Sequence, residues 1–216
     1  MNFELSEEQK MIQQSVERFV QENYDLTNRV KISSEDPGYS QEYWTAMAEL
    51  GWLGLAFSEE EGGFGGNQID TLVLMEQFGK GLVLEPFLAN IVLGGGAIKR
   101  GGSPAIKESI LPNLIEGNLQ VTLAYAEEQS RFDIEDVATA AREDGGNFII
   151  NGKKSMVLNA ESADKIVVVT RTSGSQVDED GISLFLVDAN SKGIERENFP
   201  TVDGLRASEI TFTDVE

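Results

Sequence analysis

The sequence predicts an α+β fold, an N-terminal all-helical domain followed by a β-barrel, on three observations. Up to about Gly117, apolar residues recur at helical spacing between capping residues. Beyond Leu119 the apolar runs shorten and turn β-branched. Among those runs stand dipeptides that accept positive φ, the kind that close two-residue hairpins. The expected division is 1–118, helical, and 119–216, barrel.

The helices follow from their end signals. Ser6 with Gln9 three residues on is a capping box, and Met11, Ile12, Val16, Phe19 and Val20 then mark one face. A second helix runs from Ser40 through Tyr43, Trp44, Met47 and Leu50 to Gly51, where a left-handed cap residue fits. Asp70 opens a third, with Leu72, Met75 and Phe78 inward and Gly79 at its end. Pro86 and Ser103-Pro104 suit the first turns of two more. Strands are expected at 121–126, 148–150, 153–157, 166–170, 182–187 and 210–212, with hairpins closing at 144–146 and at Asn151-Gly152.

Composition narrows the chemistry. With no cysteine and no histidine, the chain offers no disulfide, thiolate nucleophile, imidazole base or zinc-finger-type metal site, which leaves carboxylates, hydroxyls and cofactors. Thirty-seven Asp and Glu against seventeen Lys and Arg, a net charge of −20, argue against binding nucleic acid or an anionic membrane and fit a solubilising surface. No apolar run approaches the ~20 residues of a membrane span, and no basic-then-apolar leader opens the chain, so a cytoplasmic location is expected. The glycine clusters at 62–66 and 94–96 lack the Lys-Ser/Thr of a phosphate loop, and neither follows a strand to open a helix. The cluster at 94–96 is read as a break between helices.

Four segments carry a resemblance: TLAYAEEQSRFD at 122–133, NFIINGKKSMVLNA at 147–160, DGLRASEITFTDVE at 203–216, and EEEGGFGG at 59–66. Their order resembles the N-terminal and middle domains of the acyl-CoA dehydrogenase family. There the first segment is usually Tyr-x-x-Thr-Glu-Pro-Gly-Ala-Gly-Ser-Asp, the second ends Trp-Ile-Thr-Asn, and the third is Gly-x-Arg-x-Ser followed by Phe-x-Asp-Val. Within the family the departures in the first segment are most similar to the small subunit of pimeloyl-CoA dehydrogenase and other two-subunit bacterial enzymes.

The resemblance implies FAD, an acyl-CoA substrate, a 2,3 double bond as product, and a homo- or hetero-oligomer. It places the catalytic base in a C-terminal helical bundle that follows the barrel, so no catalytic residue is assigned here, and the span is expected to be a fragment or subunit, inert alone. Carried over by position, the flavin contacts are Leu123, Tyr125, Ala126, Ser130, Arg131, Phe132, Met156, Leu158 and Asn159. Leu123 stands at the family's aromatic, Ala126 at its Thr, and Met156 and Leu158 at its Trp and Thr, so side-chain hydroxyls are lost. Glu127, Asp133 and Asn159 match. The 62–66 loop is either an ordinary tight turn or a wall of the acyl-CoA site contacting it through Phe64. Arg131 is either a fork for flavin or CoA phosphate or an ion-pair partner of Asp133, Glu135 or Asp136. Phe132 either fills cofactor or substrate space or packs on the barrel. Lys153 and Lys154 are read as a solvated face, and Arg206 as a brace of the barrel.

Overall fold

Ser6 accepts a hydrogen bond from Gln9 N at 3.1 Å while Gln9 Oε1 accepts from Ser6 N at 3.0 Å, and this closed capping box starts α1 (Glu7–Asn23). The computed structural model describes residues 4–216 and places all its helices before its strands. After α1 come α2 (Leu26–Ser34), capped by Asp25, and α3 (Gln41–Glu49), capped by Ser40 and stopped at Gly51 with φ +78°. Then follow α4 (Gln68–Gly81), a π-helical segment (Leu88–Gly95), α5 (Gly96–Gly101) and α6 (Pro104–Ile115), the last capped by Ser103 with Pro104 in its first turn.

Packing revises several of these expectations. Met11, Leu50 and Leu72 are exposed, and Trp44, Met47, Trp52, Leu53, Phe57 and Leu74 form the centre of the helical core. Helix α4 is capped by Asn67, with Asp70 the third residue of its capping box, and it ends two residues beyond Gly79. The 94–96 glycines do not break the chain. They continue the π-helical segment into α5 because the backbone there lies against other elements: a Cβ on Gly94 would sit 2.4 Å from Val121 O, and one on Gly95 2.7 Å from Leu114. Glycine here permits contact between a helix and a strand.

The barrel is one curled seven-stranded sheet about its own core of Val157, Ile166, Val168, Ile210 and Phe212. Its strands are β1 (Val121–Ala124), β2 (Ala140–Asp144), β3 (Asn147–Leu158), β4 (Lys165–Arg171), β5 (Ile182–Asp188), β6 (Ile194–Pro200) and β7 (Arg206–Val215). The order is β1-β4-β2-β3-β7-β6 with β5 on β4; β1 and β2 meet β4 in parallel, and the remaining pairs are antiparallel. Gly145-Gly146, with φ +61° and +95°, close the β2–β3 hairpin as expected. Asn151-Gly152 close none. Strand β3 runs straight through them, and the pairing with β7 slips between Ile150↔Val215 and Gly152↔Phe212, where Asn151 and Asp214 exchange hydrogen bonds of 3.0 and 2.9 Å. A Cβ on Gly152 would lie 2.6 Å from Thr139 Cα, so glycine serves close approach here. Among the described residues no helix is long and apolar enough to cross a membrane, and no acidic cluster is arranged to hold a metal ion.

Candidate functional site

Strand β1 delivers the chain through an exposed Tyr125 and a half-buried Ala126 into the loop 127–132. A buried ion pair secures that loop from beneath. Lys154 Nζ donates to Glu127 Oε1 at 2.6 Å and to Tyr125 O at 3.2 Å, and Lys154 is 0% exposed. Successive side chains of a strand point to opposite faces, so Lys153 reaches Glu209 at 3.4 Å in the open while Lys154 points inward. The reading of both lysines as a solvated face therefore fails at Lys154. Glu127 also accepts from the backbone N–H of Ala138 at 2.9 Å and Thr139 at 3.0 Å, and from Gln129 Nε2 at 2.7 Å. Burial pushes its carboxyl up, but the bonds from Lys154, Gln129 and Thr139 and the lysine charge outweigh burial and hold it down at about 2. Burial lowers the Lys154 ammonium, and Glu127 offsets only part of that.

The outer part of the loop is open. Arg131 has φ +49° and is exposed, and among the described residues its side chain makes no ion pair or hydrogen bond, so the expected pairing with Asp133, Glu135 or Asp136 is not found. Phe132 is 100% exposed and does not pack on the barrel. The Ser130 hydroxyl is engaged locally, accepting from Glu127 N and donating to Glu127 O. Leu123 packs on the helical core. Met156, at φ +52°, occupies a second bulge where β3 slips against β7, which leaves its side chain half in solvent. Phe64 lies over Gly51 and Gly54, outside the cleft described next, with its ring more than half exposed.

A cleft of about 450 Å³ separates the helical part from the sheet. Met75 and Phe78 of α4 and the segment 82–89 form one wall, Pro37–Tyr39 the floor, and Leu158, Asn159, Leu205 and Arg206 the sheet side. Of the sequence-expected site residues, Leu158 and Asn159 line it. Asn159 is held by a buried chain: its Nδ2 donates to Gln120 Oε1 at 2.6 Å, and Gln120 Nε2 donates to the Tyr39 hydroxyl at 2.6 Å. Arg206 Nη2 donates to Ser33 O at 3.0 Å, so this arginine ties the sheet to the helical part instead of bracing the barrel internally. Sequence reasoning missed Glu85, Tyr24, Arg29, Tyr39 and Gln120. The available signal was Glu85 itself, an acid set between Leu84 and Pro86-Phe87 in an otherwise apolar run. Glu85 lines the cleft, is 5% exposed, and accepts from Ser40 N at 3.1 Å and from the Tyr24 hydroxyl. Burial pushes its carboxyl above the usual range, against the hydrogen bonds from Tyr24 and the backbone.

Residues 6–118 match the acyl-CoA dehydrogenase N-terminal domain and residues 122–215 the acyl-CoA dehydrogenase middle domain. The mitochondrial isovaleryl-CoA dehydrogenase of Pongo abelii is 29% identical over 97% of this chain and 51% of its own length. The FAD complex of PigA superposes with a TM-score of 0.87 at 27% identity, over 100% of this chain and 56% of that one. The ChsE4-ChsE5 complex from Mycobacterium tuberculosis shares the fold with a TM-score of 0.87 at 21% identity, over 100% and 56%. The chain thus spans about half the length of the relatives it matches. With both domain matches in register with the observed helices and strands, the chain belongs to the acyl-CoA dehydrogenase family.

Proposed function

We propose that this chain is part of an FAD-dependent acyl-CoA dehydrogenase that introduces a 2,3 double bond into an acyl-CoA thioester, with its helical and sheet portions meeting at 118/119. The observation that carries this reading is the cleft between the two portions. It is apolar enough for an acyl chain, and the end of the second flavin-like segment, Leu158 and Asn159, forms part of its wall.

The residues present fit a flavin held mainly through backbone and charge. Ala126 and Leu158 offer no hydroxyl, so the end of β1 and the end of β3 would hold it through main-chain groups, and Arg131, unpaired among the described residues and turned to solvent, would fork onto a phosphate. When bound, the flavin supplies a hydride acceptor for the acyl β-carbon. The chain's own part is to position and to exclude water. Lys154 and Glu127 fix the loop that presents Arg131, the Gln120–Tyr39 chain fixes Asn159, and the apolar wall around Phe78, Leu84 and Phe87 desolvates the acyl chain. Tyr125, Phe132, Met156, Leu123, Ser130 and Phe64 are assigned to the flavin and thioester surfaces by position in the family segments.

The lost hydroxyls favour a second reading, a non-catalytic small subunit, resembling that of pimeloyl-CoA dehydrogenase, that scaffolds a flavin-bearing large subunit. A relative 28% identical over 98% of this chain, subunit CarC of the caffeyl-CoA reductase-Etf complex of Acetobacterium woodii, supports such pairing. Visible absorption of the purified protein, with and without any subunit that copurifies with it, separates the two. Flavin retained by the chain's own protein after dialysis supports the first. Flavin retained only by the partner, with this chain adding none, supports the second. The 216-residue span alone is expected to retain little or no flavin.

A further inference from the structure

The wall of the cleft is built largely from Met75, Phe78, Leu84, Phe87, Leu88 and Leu205, and Glu85 interrupts it. Two features set this carboxylate apart from a structural ion. No cation lies within salt-bridge distance of it among the described residues, and both its oxygens are held by neutral donors, the Tyr24 hydroxyl and Ser40 N–H. A carboxylate has about four acceptor positions. Those two partners take one on each oxygen, and the backbone N–H groups of Leu84 and Glu85 also face the carboxylate. Two arginines also border the cleft, but they donate to backbone carbonyls, Arg29 to Leu82 and Asp203, Arg206 to Ser33 and Glu35.

An acid of this kind in an apolar wall acts on a ligand in two ways. It accepts from a hydroxyl or amine on the chain that passes it, in a setting where such a bond is not diluted by water. It also repels a second carboxylate, which would bring a like charge into the same low-dielectric space.

We infer that Glu85 determines acyl-chain specificity, favouring CoA thioesters whose chain bears a hydrogen-bond donor beyond the reacting carbons and rejecting chains that end in a carboxylate. This rests on the acyl-CoA dehydrogenase reading of the cleft and names the substrate class within it.

The test uses the complete enzyme with any subunit it purifies with, and calorimetric titration of three CoA thioesters of one chain length: unsubstituted, ω-hydroxy and ω-carboxy. The wild type should bind the ω-hydroxy thioester at least about tenfold more tightly than the ω-carboxy one. Glu85→Gln keeps the acceptor and removes the charge, so the ω-carboxy thioester should gain most and the gap should close to within about threefold. Equal affinities in the wild type, a wild-type preference for the ω-carboxy chain, or an unchanged gap in Glu85→Gln would each overturn the inference. Should Glu85→Gln fail to fold, the wild-type ranking alone decides. If a cooperatively folded wild type binds none of the three, the dehydrogenase reading falls and takes the inference with it, whereas undiminished binding of the unsubstituted thioester without discrimination removes the inference alone.

Discussion

Glu127 and Glu85 are both about 5% exposed, yet the first belongs to the loop beyond β1 and the second to the cleft, and their surroundings make them opposites. Glu127 has a fully buried lysine at 2.6 Å and accepts from Gln129 and Thr139, which together outweigh burial and hold its carboxyl at about 2. Among the described residues Glu85 has only neutral donors, and burial pushes its carboxyl up. Burial alone therefore says little about what a buried acid is for. A paired one fixes a loop; an uncompensated one facing a cavity has free capacity for a ligand.

Lys154 should give the largest effect. Lys154→Met leaves Glu127 buried without its cation and should cost about 3–5 kcal/mol, read by thermal or denaturant unfolding. Replacing Glu127 by Leu in the same background should recover part of that, because the stranded charge is gone. A loss below about 1 kcal/mol in Lys154→Met would show that the pair does not hold the loop.

The two acids should also answer pH in opposite senses. Glu127 is held below its ordinary 4.5, so its contribution is present above that pH and is lost as pH falls from 4.5 towards 2, a change of about 3 kcal/mol. Glu85 is raised, so its contribution is present below the ordinary value and is lost as pH rises through its own higher value. Unfolding free energy of Glu85→Gln against the wild type across this range isolates the second effect: the variant should gain on the wild type as pH rises. A difference independent of pH would remove the contrast.

Arg131 sharpens the account on the ligand side. In the complete enzyme Arg131→Ala should weaken FAD or CoA binding roughly ten- to a hundredfold, through loss of charge-assisted hydrogen bonds worth ~1.5–3 kcal/mol. Stability should stay within about 1 kcal/mol, since among the described residues the side chain has no ion-pair partner to lose. Unchanged affinity for both ligands, measured beside a thermal melt, would return preference to the scaffold-subunit reading.

What the sequence made legible was local. Capping at Ser6, Ser40 and Ser103 depends on residues three apart, and the diglycine hairpin on two adjacent positive φ values, so both could be read from neighbours. Helix α2 escaped because Leu26 and Val30 face solvent and leave no apolar stripe, and β6 because its IERENFP alternates charge with little burial. The site was less legible because its contacts join distant segments. Asn151-Gly152 became a bulge through pairing with Asp214, 63 residues on, and Lys154 went inward to meet Glu127, 27 residues back. The helical glycines at 94–96 took their meaning from Val121 and Leu114 pressing against them. The cleft itself exists only where α4, 37–39, 82–89, 158–159 and 202–206 converge, so Glu85 stood out as an acid in an apolar run without pointing to a site until those segments met.

We propose that this chain helps to build a flavin site facing an acyl thioester in the cleft. The most direct measurement is the visible flavin spectrum of the complete protein, with its partner subunit if it has one, before and after anaerobic addition of an acyl-CoA. Bound flavin should bleach on addition of the thioester, with less bleaching per flavin in Arg131→Ala. A preparation that folds cooperatively but holds no flavin in either subunit combination, or flavin that no acyl-CoA bleaches, would contradict it.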